Sequence, residues 1–577
     1  MARRLQFILL GLLAGIAFWQ LSELPFTVQE TRAFAAVAVL ALSFFGGTLG
    51  MLGELGLRRA LIAALAIAVP AAALTLLASH RFADVEQMLR TGHIAVALAV
   101  VMVLPVPFAI ALAKKGRDGW KDYACLFSES WNLVVRYAAA WLFVAVLWLV
   151  LWLLWSLLEL VGIEAVGRFL TRAPVVWLVS GAATGLALAV VTELPDMISP
   201  YLLLRLARLL LPLVLLVEVV FVAVLPASGL GHLFGYISPA GILVATALAS
   251  ILLVTIAVDE NDEEAARGRI LTWSARGLAL LLPVLVALAG WALSLRVGAL
   301  GWTPPRIGTA AMIALIGGYA LCYAGAVLRG ADWRARLRRA NIGMALVVIA
   351  VGALWLTPLL SAEALSVRSQ MARYADGRLP ADRLPVWEFA HEWGRPGERA
   401  VARLRQRADR PGEEALARRL AVLDRAQSRG DAAAEGQPSI AARAEELRGV
   451  IPVLPAGETL PDGLLTAIAR ASEADWAQGC MQRTARGNPA CLAVVGDFDP
   501  RRPGRDALFL RQEGFGTVLA FQERGARWIG ARPVFLGAGV PPSGGALIDA
   551  LVAGGGTTAP AELQALPLGS RQLTILP

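Results

Sequence analysis

The chain has 577 residues, 57% of them hydrophobic and only 17% charged, with a mean hydropathy of +0.62. Soluble domains are about a quarter charged, so the composition excludes an ordinary soluble protein. The net charge of +9 does not point to nucleic acid, because the arginines sit mainly at the ends of apolar segments, where they suit anionic lipid headgroups.

Apolar runs near 5–22, 34–53, 60–79, 93–112, 137–160, 175–192, 201–226, 239–258, 275–298, 306–328 and 341–361 predict eleven transmembrane helices of about 20 residues. "LSELPF" follows the first run and offers no small-residue cleavage site, so that run is read as a retained helix. Gly11 and Gly15, Gly46 and Gly50, and Gly181 and Gly185 are small-xxx-small pairs, which permit close helix contact and name no function.

Lysine and arginine in the short loops set orientation, since a positive flank resists translocation. One set of alternate loops and helix ends, including Arg3, Arg4, Arg58, Arg59, Lys114, Lys115, Arg136, Arg208 and Arg338, holds 19 such residues. The other holds 7: Arg32, Arg81, Arg90, Arg168, Arg172, Arg296 and Arg306. The richer set is expected to face the cytoplasm and its anionic lipid headgroups. An odd number of spans then sends the tail, from about residue 362, outside.

Trp120, Tyr123, Phe127, Trp131 and Val134 recur at steps of three and four, with Lys121, Asp122, Glu129 and Arg136 off that line. The pattern predicts an amphipathic helix along the cytoplasmic interface. Trp141, Trp148, Trp152 and Trp155 follow as an aromatic stripe, read as packing. Glu218, deep in "LLPLVLLVEVVFVAVLP", is the one sharp anomaly. An ionisable residue at that depth must be paired, neutral or facing water. It is either a proton or cation site on a transport path or a hydrogen-bonded packing residue, and Arg205 and Arg208 lie too far toward the cytoplasm to pair with it.

The stretch "LSLRVGALGWTPPRIGTAAMIALIGGYALCYAG" joins two helices through a Gly-Trp-Thr-Pro-Pro-Arg turn. Together with the Trp/Leu helix after "LFSESWNLVVRY" and with "LSVRSQMARYADGRLP" beyond the last span, it resembles an uncharacterised bacterial membrane family, domain of unknown function 4153. The resemblance covers residues 1 to about 400. It implies a multi-span protein of the bacterial plasma (inner) membrane with an extracytoplasmic tail; it implies no activity and carries over no catalytic residue.

The fold expected is therefore an α-helical polytopic membrane protein, with a transmembrane bundle over 1–361 and a C-terminal α+β soluble domain over 362–577. Ala-, Leu-, Arg- and Glu-rich segments separated by Gly or Pro predict helices over 362–475. "CLAVVGDFD", "DALFLRQ", "GTVLAFQE" and "ARWIGARPVFL" predict a strand-rich part over 480–577. Cys480 and Cys491 flank a Gly-Asn-Pro turn and are candidates for a disulfide worth on the order of 2–3 kcal/mol, the alternative being two free thiols. Asp497, Asp499 and Asp506 suggest a calcium loop, but Arg501 and Arg502 occupy positions where ligands and glycine belong. That segment is read as a polar turn between strands.

The sequence has no Walker loop, GxGxxG after a strand, GxSxG elbow or HExxH, and no cofactor is expected. "GAGVPPSGGALIDAL", 537–551, is glycine-rich before a predicted helix start, where an anion could sit. His80, His93, His232 and His391 all fall on the outer side without metal spacing. Two functions remain open: a non-enzymatic envelope component whose external domain binds a partner protein or cell-wall material, or a transporter or channel using Glu218.

Overall fold

The computed structural model describes residues 2–193, 200–228, 239–426, 428–429, 440–471, 476–498, 504–512, 518–525, 527–533, 543–554, 566–568 and 571–573. Asp499, His232 and the glycine-rich stretch up to residue 542 lie outside them. The chain divides into two compact units, Met1–Ala417 and Arg418–Pro577. The division falls later than residue 361, so the first helices of the expected soluble tail belong with the helical unit.

The longer helices of the first unit are α1 (Ala2–Ser22), α2 (Arg32–Leu55), α3 (Leu57–Ser79), α4 (Gly92–Val103), α5 (Pro105–Lys115), α6 (Tyr123–Leu160), α7 (Ala173–Glu193), α8 (Pro200–Arg208), α9 (Leu211–Ser228), α10 (Pro239–Val258), α11 (Arg269–Leu300), α12 (Pro304–Leu328), α13 (Trp333–Trp355), α14 (Ala362–Ala375) and α15 (Gly394–Ala408). The helix α16 (Glu414–Arg425) crosses the division. Among the described residues, eleven helical stretches are long and apolar enough to cross a membrane, and they coincide with the eleven expected runs. Their outer faces carry large apolar side chains; Trp141 is 71% and Leu321 72% exposed. Such a surface suits a membrane or another apolar partner.

Three local departures have physical causes. The fourth run is two helices, α4 and α5, meeting at Leu104, because Pro105 and Pro107 bring no N–H to the helix but suit a helix start. The seventh run likewise breaks at Leu209–Leu210, just before Pro212, into α8 and α9. The amphipathic segment is not a separate interfacial helix. It is the first part of α6, capped by the Asp122 carboxylate accepting from Cys125 N at 3.0 Å, and it runs straight into the apolar part. At 38 residues α6 is about 57 Å long, well beyond a hydrocarbon core of about 30 Å. Its tryptophans do not share one fate. Trp148 Nε1 donates to Ser180 Oγ at 2.9 Å and Trp155 packs over Gly167, while Trp141 and Trp152 stay exposed.

Two of the small-residue pairs find each other. A Cβ on Gly11 would overlap the Gly181 carbonyl, one on Gly181 the Gly11 carbonyl, and one on Gly185 the Phe7 carbonyl. The backbones of α1 and α7 therefore touch, which only glycine permits. Gly46 has open space around it and plays no such part. Further along, α10, α11, α12 and α13 share a core of Leu253, Leu278, Leu282, Ile316, Tyr323 and Leu337.

The second unit contains α17 (Ile440–Arg448), α18 (Asp462–Ala471), α19 (Gly544–Gly554) and strands β1 (Val453–Leu454), β2 (Cys491–Gly496), β3 (Asp506–Arg511), β4 (Val518–Arg524) and β5 (Arg527–Ala531). A hairpin of β6 (Leu566–Leu568) and β7 (Arg571–Leu573) is separate. The five strands lie in sequence order, β1 parallel to β2 and the rest antiparallel. Alternation along β2 sends Cys491, Ala493 and Val495 to a face shared with Leu464, Ile468, Trp476 and Phe509. Leu492 and Val494 go to the opposite face, against Ile548 of α19. A sheet with both faces covered reads as a continuous apolar run, which is how "CLAVVG" reads.

Candidate functional site

Glu218 lies on α9 with 1% exposure. The Ser250 hydroxyl of α10 meets its Oε1 and also lies 3.0 Å from the Thr246 carbonyl. A serine carries one hydrogen and cannot donate to both acceptors. A protonated Glu218 donating to Ser250 Oγ, with Ser250 donating to Thr246, satisfies the pair. Glu218 Oε2 is buried with no hydrogen-bond partner among the described residues. Arg208 does not approach it, as expected. It pairs with Asp259 and donates to the carbonyls of Ile256 at 3.1 Å and Glu264 at 2.7 Å.

That arrangement belongs to one of two sets of helix ends. At the Arg/Lys-rich end, Arg4 pairs with Glu193 at 2.5 Å, Lys114 with Glu54 at 2.5 Å and Glu129 at 2.7 Å, and Arg136 with Glu54 at 2.7 Å. Arg338 donates to the Val258 carbonyl at 2.7 Å and the Asp259 carbonyl at 3.1 Å, so it and Arg208 close the C-terminus of α10. A polar chain centred on the buried Tyr323 adjoins them. Tyr323 Oη lies 2.8 Å from Thr255 Oγ1 and 2.5 Å from Asn341 Oδ1, and Asn341 Nδ2 donates to Tyr123 Oη at 3.1 Å. Sequence reading found the basic residues, placed Glu129 on a polar face without a partner, and missed Glu54, Glu193 and Asp259. Their position at helix ends beside opposite charges was the available signal.

At the other end, Arg81 and Glu363 form a buried ion pair, their side chains 5% and 1% exposed. Arg81 Nη1 also donates to the Trp355 carbonyl at 2.6 Å. His93 stands beside them: Trp355 Nε1 donates to its Nδ1 at 3.1 Å, and its Nε2 is 3.5 Å from Glu363 Oε1. Indole N–H can only donate, so Nδ1 accepts and the hydrogen of the neutral ring sits on Nε2, facing the carboxylate. His80 is bound separately by Arg32, at 3.2 Å, and His391 stacks on Trp387; the described histidines do not converge.

Two of the three stretches on which the resemblance rests meet here as well. Gly301 ends α11 with φ +73°, in the left-handed region that favours glycine. On α14, Gln370 Nε2 donates to the Leu300 and Trp302 carbonyls at 3.0 and 2.9 Å, and Arg373 donates to those of Gly298 and Ala299 at 3.0 and 2.6 Å. Ser369 Oγ accepts from Trp302 N at 3.1 Å. The chain beyond the last apolar helix thus caps α11. It is braced in turn by Tyr374, whose Oη donates to Glu413 Oε2 at 2.5 Å while Arg407 lies over its ring at 4.7 Å. Burial and the Glu413 carboxylate push the Tyr374 phenol up to about 12.

In the second unit, Cys480 and Cys491 are joined in a disulfide, Cα atoms 4.8 Å apart. The aspartate-rich segment connects antiparallel β2 and β3. Asp506 is buried and accepts from Phe498 N at 3.1 Å, so it closes its own loop, while Asp497 is exposed. Among the described residues no group of three or more His, Cys, Asp or Glu could hold a metal. Asp549 of α19 accepts from Thr484 Oγ1 at 2.5 Å and Asn488 Nδ2 at 2.7 Å, which hold its carboxyl below the usual range. No family model, curated protein or solved structure matches the chain, and the resemblance stands on the quoted residues alone.

Proposed function

We propose that the chain is a polytopic protein of the bacterial plasma membrane whose helical unit anchors an extracytoplasmic domain, and that this domain binds an envelope partner without catalysing a reaction. The Cys480–Cys491 disulfide carries the reading, because disulfides persist in oxidising compartments and are rare in the cytosol. The grouping of helix ends supports it. Ends rich in lysine and arginine bond to one another, and α14 leaves from the opposite group. The test is a Glu446→Cys variant, at an exposed position, treated in intact cells with a membrane-impermeant maleimide. Labelling before lysis supports an external domain; labelling only after lysis overturns it.

A second reading is favoured by the unpartnered Oε2 of Glu218: a proton or cation site within the helices. Loss of a deletion phenotype's rescue in Glu218→Gln, with normal folding and yield, supports transport. Full rescue by that variant removes the case for it.

A further inference from the structure

Three arginines gather at the turn between α11 and α12. Arg373 of α14 and Arg306 of α12 both hold carbonyls of that turn, Arg373 those of Gly298 and Ala299 and Arg306 that of Gly301 at 2.6 Å. Arg296 stands two residues before Gly298 on α11. Burial weighs on Arg306 more than any charge does, and the charges that reach it, Arg296 and Arg373, are both positive. Among the described residues none of the three forms an ion pair with a carboxylate. Each guanidinium has five N–H donors. Arg373 spends two on the turn and Arg306 one; Arg373 Nε is buried without a partner among the described residues. Capping one helix end needs one cation. Three guanidiniums with spare N–H donors around one turn make a site that an anion can bridge.

The surroundings say where that anion comes from. Trp291, Leu295 and Leu300 of α11 are exposed, and Trp302 is half-buried in the turn. Tryptophans of this kind mark the level where apolar side chains give way to headgroups. Arg296 lies five residues beyond Trp291, about 7.5 Å along the helix, which in a bilayer would bring it from the tryptophan level toward the lipid phosphates. Arg296 and Arg306 also belong to the set of ends poor in basic residues, where orientation alone disfavours them.

We propose that Arg296, Arg306 and Arg373 form a binding site for the phosphate of an anionic phospholipid in the leaflet opposite the Arg/Lys-rich ends. The proposal rests on the reading of this chain as membrane-spanning. Its test is the purified full-length protein in detergent, delipidated and then titrated with phosphatidylglycerol or phosphatidylethanolamine under native mass spectrometry. Phosphatidylglycerol is expected to bind preferentially, and Arg296→Gln with Arg306→Gln to weaken it about thirtyfold. Arg373 is left in place because it caps α11, and an unchanged melting temperature shows that the double variant folds. Equal binding of both lipids, or wild-type affinity in a folded double variant, overturns the proposal. Displacement of phosphatidylglycerol by millimolar inorganic phosphate supports an anion site and overturns its assignment to lipid. A chain that stays soluble without detergent refutes the membrane reading instead, and the two failures are distinguishable.

Discussion

Arg81 and Glu363 stand 282 positions apart in the chain and meet as a buried ion pair, joining the end of α3 to the first turn of α14. Breaking such a pair strands one charge in a site that water does not reach. Arg81→Ala and Glu363→Ala are each expected to destabilise the helical unit by about 3–5 kcal/mol. An Arg81→Met, Glu363→Leu double variant should recover most of that loss. Thermal unfolding in detergent reads all three. Single variants that melt with the wild type would falsify the buried pairing.

The contact of α1 with α7 makes a sharper steric demand. Gly181→Val puts a side chain where the Gly11 carbonyl lies, and overpacking of this kind costs about 1–3 kcal/mol. Gly46→Val, where a Cβ meets nothing within 4 Å, should fold as the wild type does. Comparable losses of monodisperse protein in both variants would show that glycine content, and not the facing pair, matters.

Cys480 and Cys491 close a loop with a sequence separation of 11. Replacing both with serine should lower the stability of the C-terminal unit by about 2–3 kcal/mol and leave the helical unit's melting unchanged. Hydrogen exchange along β2 and α18, followed with and without reductant, is the measurement. Equal protection in the two states contradicts the expectation.

Asp549 gives the C-terminal unit a pH dependence with a definite sign. Hydrogen bonds from Thr484 and Asn488 depress its carboxyl in the folded state, so the stabilisation is present above the unfolded value of about 4 and is lost as pH falls through the lower folded one. Protection of the amides at 484–488, taken relative to intrinsic exchange at each pH, should therefore be high from neutral pH down to about 4 and fall in more acid solution. Asp549→Asn should show lower protection at neutral pH with a flatter acid response. An identical acid profile in the variant would assign the effect to another group.

The sequence by itself determined the eleven apolar stretches, the two classes of helix end and the candidate disulfide. Each is a local property: twenty apolar residues in a row, a cluster of arginines at a boundary, two cysteines either side of a turn. Even the departures were local in cause, since Pro105 and Pro212 are visible in the chain and break their helices for want of an N–H. Glu218 was legible for the same reason, as one acid within an apolar run.

Tertiary structure alone decided which parts meet. Nothing near Gly11 says that its carbonyl will face Gly181 rather than Gly46 or Gly50, because small-residue spacing recurs and only backbone approach selects among the copies. Nothing near Arg81 points to Glu363, and nothing in "LSVRSQMARY" shows Gln370 and Arg373 reaching back to the carbonyls of 298–302. Those bonds draw α14 into the helical unit, α15 joins it through Arg395 N donating to the Arg81 carbonyl, and the division of the chain falls at Ala417. Periodicity and composition report what one segment needs from its surroundings; which distant segment supplies it depends on the packing of the whole unit.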